Sequence, residues 1–299
     1  MTTTSVDFFI NPTAGRGRAG KRLPRIQALF LARGIELVVH ESNAVGDLEQ
    51  QIKLAVTDGC RHIVVGGGDG SVHEAVNGIM AGTGGAVLSV IPSGTGNDFA
   101  KACGIPLDWQ LAVTELATRI AAVKPCRRLD LGLVNERYFA NGAGIGFDAR
   151  VTAIARSIRW PIGDLVYLLG IFRGMAEGIA TPEFEITANG QTRRGPVTLA
   201  NIANGPWIGG MFHIAPMASN DDGVFDLVVA DPVTPLQILG LLPKLMRGKH
   251  MGASIVSHSA VTEVTIISAE PVPSHLDGEV QPDQSRFDIS MLPGALRLL

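Results

Sequence analysis

Two short strings hold most of the residues suited to chemistry: Gly66-Gly67-Gly68-Asp69-Gly70-Ser71 and Pro92-Ser93-Gly94-Thr95-Gly96-Asn97-Asp98. Glycines let a backbone turn sharply and approach a ligand without Cβ interference. In both strings the glycines lead from an apolar run into a helical pattern. The start of a helix offers free amides and a positive dipole end to an anion. Asp69 adds a carboxylate, and beside phosphates its natural work is to bind Mg²⁺ or a ribose hydroxyl. Read blandly, the second string is a turn in which Asn97 or Asp98 caps a helix. One such loop is balanced between a turn and a nucleotide site; two at neighbouring strand ends favour a phosphate crevice. No G-x-x-x-x-G-K-[ST] string occurs, so glycine amides and outlying side chains must hold the phosphates. Gly15-Arg16-Gly17-Arg18-Ala19-Gly20 matches G-x-G-x-x-G literally, with Glu41 about twenty residues on. Yet Asn11-Pro12-Thr13-Ala14 separates it from the preceding strand, and its two arginines suit pairing with a triphosphate better than hugging a dinucleotide.

The elements that would carry these loops follow from apolar periodicity. Strands are predicted at 6–10, 35–40, 62–65 and 86–91, and helices at 21–32, 47–57, 72–80, from 98 to 103 and at 111–120. Alternation of this kind indicates a parallel sheet covered on both faces. Near Arg127 the pattern changes to strands, at 130–134, 137–141, 183–188, 197–204, 224–229, 262–268 and 286–291, with helical insertions at 164–177 and 235–247. This half reads as an antiparallel sheet or sandwich, with a boundary at about residue 128.

Bulk properties narrow the class. The 299 residues suit one large domain or two ordinary ones, and 46% apolar content supplies real cores. A net charge of −3 argues against a nucleic-acid protein. Cys60, Cys103 and Cys126 stand apart with no C-x-x-C pair, as in a reduced, cytosolic protein. The start, Met1 to Asp7, lacks the features of a signal peptide. Apolar runs such as 165–172 and 236–242 fall well short of the roughly 18 residues that span a bilayer. Any meeting with a membrane would therefore be peripheral. Arg150, Arg156, Arg159 and Arg173 flank an apolar stretch with Trp160, Val166, Tyr167, Leu168 and Phe172, which reads equally as a surface for an anionic membrane or as core with a solvated rim. The seven histidines show no zinc spacing.

Asn11-Pro12-Thr13-Ala14-Gly15, Gly67-Gly68-Asp69-Gly70-Ser71 and Gly94-Thr95-Gly96-Asn97-Asp98-Phe99-Ala100 together resemble the diacylglycerol-kinase catalytic-domain family, in particular its soluble bacterial lipid kinases of the YegS type. The likeness continues through Ala140 to Asp148, Asn201 to Gly205, Ala215 to Gly223 and Leu276-Asp277-Gly278-Glu279. Ser71 stands where the family more often has threonine, and keeps the hydroxyl. The resemblance implies an NAD-kinase-like α/β nucleotide-binding domain over 1–127, to which 290–299 return, and an antiparallel β-sandwich over 128–289, with the active site between them. It implies ATP contacts at Asn11, Ser42, Gly67, Gly68, Asp69, Gly70, Ser71, Val72, His73, Thr95, Asn97 and Asp98. Ser42 is carried over because it stands four residues before Gly46-Asp47. Glu279 matches the family's proposed general base, and Asp277 would help hold Mg²⁺ or orient the site. Read blandly, Asp-Gly is only a tight turn. Asp222, with the carbonyls of Ser219 and Val224, resembles the ligand set of a second, structural Mg²⁺, and is equally ordinary as a hairpin turn. His275 lies near the base and either tunes it or packs. An NAD-kinase-like enzyme acting on a soluble nucleotide, and a non-catalytic binding protein of the same fold, are the competing readings. The identity of the lipid and the oligomeric state are not legible.

Overall fold

The computed structural model describes residues 4–82, 85–158, 160 and 163–299. The chain divides into two compact units, Met1–Leu129 with Gly294–Leu299, and Asp130–Pro293.

The first unit alternates strands and helices: β1 (Thr4–Ile10), α1 (Ala14–Leu31), β2 (Ile35–Glu41), α2 (Asp47–Thr57), β3 (His62–Gly67), α3 (Asp69–Ala81), β4 (Val87–Pro92), α4 (Asp98–Ala102) and α5 (Trp109–Ala121). β1 pairs in parallel with β2 and β3, β3 with β4, and Arg297 and Leu298 add a parallel edge beside Val87 and Leu88. The sheet order is therefore β2-β1-β3-β4 and the C-terminal segment. Phe8, Ile10 and Val64 pack with Ile26 and Phe30 of α1 and with Val113 and Leu116 of α5. The alternate positions Phe9, Ile63 and Val65 are equally buried and point to the opposite face. Strands buried on both faces read as continuous apolar runs, as these do. The regular part of α1 starts late because Gly15, Arg16 and Gly17 are all left-handed, with φ of 58°, 63° and 78°. From β1 the chain steps to β2 on one side, and later to β3 on the other. In open α/β sheets such a reversal opens a crevice at the carboxyl ends of the strands.

The second unit holds most of β5 (Arg127–Val134) and of β14 (Glu279–Leu298), whose ends belong to the first, and between them β6 (Arg137–Phe139), β7 (Gly142–Gly146), α6 (Phe147–Ser157), α7 (Leu165–Glu177), β8 (Glu183–Ala188), β9 (Gln191–Pro196), β10 (Leu199–Ala203), β11 (Phe225–Ala230), α8 (Pro235–Leu245), β12 (Val256–Val261) and β13 (Glu263–Leu276). It is sandwich-like because β13 serves two layers. Its residues 264–268 pair with β8, while 274–276 pair with β7, which continues to β10, β11 and β12. The register of β13 against β14 shifts between Ile267 and Ser274, a stretch that contains Pro271 and Pro273. Bulges of this kind bend a strand from one layer to the next. Phe139, Phe184, Phe225 and Phe287 fill the space between the layers. The strand pattern alone does not show β7, β9, β12 or α6. β7 is glycine-rich, and α6 starts directly from Gly146 without a side-chain cap.

Candidate functional site

In the first unit, the loops after β1, β3 and β4 meet at the carboxyl end of the sheet. The Asn11 amide donates to Gly66 O (3.2 Å), the Ser93 amide to Gly67 O (2.8 Å) and the Ser42 amide to Ile10 O (3.0 Å). A Cβ on Gly15 would lie 2.2 Å from Ser93 O, and one on Gly94 would lie 2.4 Å from the Gly68 Cα. These glycines are thus required first for the packing of loop on loop. Asn11 Oδ1 accepts from the amide and hydroxyl of Thr13 (3.0 and 2.7 Å). Arg18 Nε donates to Gly15 O (2.8 Å), and Arg16 and Arg18 are exposed.

The helix cap after β4 differs from the sequence expectation. Asn97 is left-handed (φ 51°), so its Oδ1 turns back to accept from the Gly94 amide at 3.0 Å and caps nothing. The α4 amide of Phe99 is instead satisfied by Asp69 Oδ1 at 3.0 Å, from the neighbouring loop. Asp98 is buried and pairs with Lys101 (3.3 Å). Of the residues the resemblance places at ATP, Thr95 is exposed, while Asn11, Ser42, Gly68, Asp69, Gly70 and Asn97 are half-buried. Gly67, Ser71, Val72 and His73 are buried. The Val72 amide is spent on Gly68 O (3.1 Å), and His73 O accepts from Asn77 Nδ2 (2.9 Å).

In the second unit, Glu279 opens β14 directly after a two-residue hairpin. Leu276 and Glu279 are paired, and Asp277 and Gly278 have φ of 52° and 82°. Two successive positive φ values are the signature of a type I′ turn, for which Asp-Gly is well suited. The Asp277 carboxylate accepts from the amides of Ala140, Asn141 and Gly142 at 2.7 to 3.2 Å. Arg156 of α6, which in the sequence reads equally as part of a membrane-facing surface or of a solvated rim, donates to Glu279 Oε1 at 2.6 Å and to Gly278 O at 3.1 Å. The other flanking arginines are engaged too: Arg150 and Arg173 both pair with Glu177, at 3.0 and 2.7 Å. Arg159 lies outside the described residues.

Two further features belong to this unit. Burial first, then the neighbouring carboxylates of Asp226 and Asp130, push the Asp222 carboxyl up. Its Oδ1 accepts from the Val224 amide (3.2 Å), and Ser219 Oγ donates to Asp221 (2.6 Å). Such crowding of anionic oxygens suits a hard cation. Among the described residues, however, no three His, Cys, Asp or Glu side chains converge as a metal cage, so backbone carbonyls would have to complete the set. The second feature is an open apolar pocket of about 140 Å³ lined by α6, α7, α8 and the sheet, with Phe147, Val151, Ile171, Phe212 and Leu242 in its wall.

A parallel α/β unit with glycine loops at its carboxyl edge, followed by a bent antiparallel sandwich, defines a two-unit class, and comparison places the chain within it. Residues 5–131 match the diacylglycerol kinase catalytic domain, and residues 142–299 match the YegS C-terminal NAD kinase beta sandwich-like domain. The chain belongs to the diacylglycerol-kinase catalytic-domain family, and is an enzyme of the lipid-kinase class. The diacylglycerol kinase of Bacillus subtilis (strain 168) is 30% identical over 90% of this chain and 88% of its own. A YegS-like relative from Pseudomonas aeruginosa (strain UCBPP-PA14) is 33% identical over 89% of this chain and 85% of its own. The crystal structure of a diacylglycerol kinase from Bacillus anthracis str. Sterne shares the fold, with a TM-score of 0.72 at 21% identity over 99% of this chain and 96% of that one.

Proposed function

We propose that this protein transfers the γ-phosphoryl group of ATP to a hydroxyl of a glycerolipid such as diacylglycerol, with Glu279 as general base. The observation that carries the reading is the placement of Glu279. A type I′ turn, an ion pair and a carboxylate bound by three amides all fix one half-buried carboxylate. In the reaction, the lipid hydroxyl oxygen forms a bond to the γ-phosphorus as its proton passes to the Glu279 carboxylate. The bond from that phosphorus to the bridging oxygen breaks, and ADP leaves. Asp277, whose oxygens go to amides, acts as a positioning residue for the turn.

The loops after β1, β3 and β4 hold the donor through backbone amides, with Thr95 and the exposed Arg16 and Arg18 on their outer side. Asp69 orders the second phosphate loop by capping α4. Bound with the nucleotide, Mg²⁺ would neutralise charge on the transferring phosphoryl group. A second Mg²⁺ at Asp222, with the Ser219 and Val224 carbonyls, would stabilise the turn there.

The acceptor class rests on the cavity under α7 and α8, whose wall suits an alkyl chain. The outer faces of the same helices leave Leu165, Leu169, Phe172, Leu236 and Leu239 exposed. A helix apolar on both faces suits burial on one side and a lipid surface on the other. No helix among the described residues is long and apolar enough to cross a membrane, so peripheral contact through α7 and α8 fits. Because Arg150 and Arg173 are spent on Glu177, the contact through α7 is chiefly apolar.

The test is incubation with labelled ATP, Mg²⁺ and either diacylglycerol in mixed micelles or NAD. Label in the organic phase is expected, and Glu279→Gln should lower it by about 10²- to 10⁴-fold while ATP binding persists. Label on NAD alone, or wild-type turnover by Glu279→Gln, would refute the reading.

A further inference from the structure

Glu279 is fixed by more than its own turn. Asn201 on β10, Gly144 on β7 and His275 on β13 are direct cross-strand partners, so they form one row on a single face of the sheet. The middle position has no side chain, and Asp148 of α6 fills the gap. A Cβ on Gly144 would fall 2.2 Å from Asp148 Oδ2 and 2.4 Å from His275 Nε2. Asp148 Oδ2 accepts from Asn201 Nδ2 at 3.2 Å and faces His275 Nε2 at 3.7 Å. His275 is 2% exposed. Its other ring nitrogen, Nδ1, accepts from the Gly278 amide at 3.3 Å.

Only an unprotonated Nδ1 can accept that hydrogen, so in the neutral ring the proton sits on Nε2, the nitrogen that faces the Asp148 carboxylate. At 3.7 Å the two make no hydrogen bond, and Nε2 is buried without a hydrogen-bond partner, so the Asp148 carboxylate favours this tautomer through its charge. The chain of influence runs from Asn201 through Asp148 and His275 to the Gly278 amide, one residue before Glu279. The same helix that carries Asp148 also carries Arg156, which grips Glu279 and Gly278 O from outside. α6 therefore braces the β13–β14 hairpin at two points.

We propose that Asp148 and His275 form a positioning pair that holds the Gly278 amide, and through it the Glu279 carboxylate, in the orientation required for proton acceptance. The pair touches neither substrate nor phosphate, and its role rests on the reading of Glu279 as the base. Removing it misplaces the base without altering the phosphate loops, so the effect falls on kcat and not on the KM for ATP.

The experiment compares His275→Phe, His275→Asn and Asp148→Asn in the lipid-phosphorylation assay, each also made in a Glu279→Gln background. Asn places an oxygen near the position of Nδ1 and can still accept from Gly278, whereas Phe cannot. Asp148→Asn keeps the shape but can donate to Nε2, which favours the wrong tautomer. His275→Phe and Asp148→Asn should lower kcat by about 10- to 100-fold, the scale of a misplacement near 1 Å, with the KM for ATP unchanged. His275→Asn should recover part of that loss. Neither substitution should lower activity further once Glu279 is Gln. If His275→Phe does not fold, the comparison of His275→Asn with Asp148→Asn decides. Near-wild-type kcat in Asp148→Asn, or equal losses in all three variants, would overturn the pair. Activity retained by Glu279→Gln alone would instead overturn the base assignment, and the two failures are told apart by that single variant.

Discussion

Gly94→Ala tests whether loop-on-loop packing builds the phosphate crevice. Gly94 does not lie in the left-handed region, so alanine is not excluded by its backbone and the effect is steric. The added Cβ would sit 2.4 Å from the Gly68 Cα and 2.9 Å from Asn97 Oδ1, where 3.4 Å is the near limit of ordinary contact. The loops after β3 and β4 must therefore part by about 1 Å. Asn97 could swing away, but the Gly68 backbone is held by the start of α3, so the displacement falls on the loops themselves. A shift near 1 Å in a positioning element costs about 10²-fold in rate, and overpacking of this kind about 1–3 kcal/mol in stability. Gly68→Ala presses on the same contact from the other side, with its Cβ 2.8 Å from the Gly94 Cα, and should do less harm. The assay is kcat/KM for ATP at saturating lipid, alongside urea unfolding of the same variants. The expected order of activity is wild type, Gly68→Ala, Gly94→Ala, with the double variant less than additive because both act on one contact. If Gly94→Ala keeps kcat/KM within about twofold of wild type, the close approach of the loops does not matter to donor binding.

Other consequences are as direct. Burial, ahead of the Asp7 carboxylate beside it, pushes the Cys60 thiol up to about 11. Maleimide labelling under native conditions should therefore modify the exposed Cys126 first, and equal labelling of Cys60 would contradict its environment. Burial lowers the pKa of both His62 and His250 below the ordinary 6.5. The unfolded chain then binds more protons than the folded one just below that value, so stability falls as pH drops through about 6.5. Urea midpoints should show this slope, and the double variant His62→Gln, His250→Gln should flatten it; an unchanged slope would refute the assignment. Gly240 lies in the exposed middle of α8, with open space where a Cβ would stand. Gly240→Ala should raise the unfolding free energy by about 0.5–1 kcal/mol, read from the urea midpoint, and an unchanged midpoint would refute it.

How far the sequence reached depended on the range over which each signal acts. The glycine loops, the alternation of the first unit and the Asp-Gly turn are local, carried by a few adjacent residues, and they were legible. The strand at Gly142–Gly146 was harder, because glycines depress strand propensity and blur the helix that follows. Yet Gly142, Gly144 and Gly146 alternate, so all three fall on one face of the strand. A strand face stripped of side chains signals that something presses on it, and Asp148 does press on it at Gly144. That was the available clue to the row beside Glu279.

The remaining site features depend on contacts that no local pattern encodes. Asp69 reads as a metal or ribose ligand from its place in a glycine loop, but its carboxylate reaches an amide of a different helix 30 residues on. Asn97 reads as a cap until its left-handed φ turns the side chain the wrong way. Arg156 reads as part of a membrane-facing surface or a solvated rim because the pattern does not show its helix, and its partner lies 123 residues away. In each case the polar side chain holds backbone in place, which no local pattern announces. On the proposed reading the loop amides and Glu279 carry the chemistry, while the polar residues around them fix the turns on which those groups stand. Substitutions at Asp69, Asp277 or Arg156 should accordingly behave as losses of geometry, restored in part by variants that keep the same hydrogen bond, whereas no conservative replacement of Glu279 that lacks a proton acceptor should restore turnover.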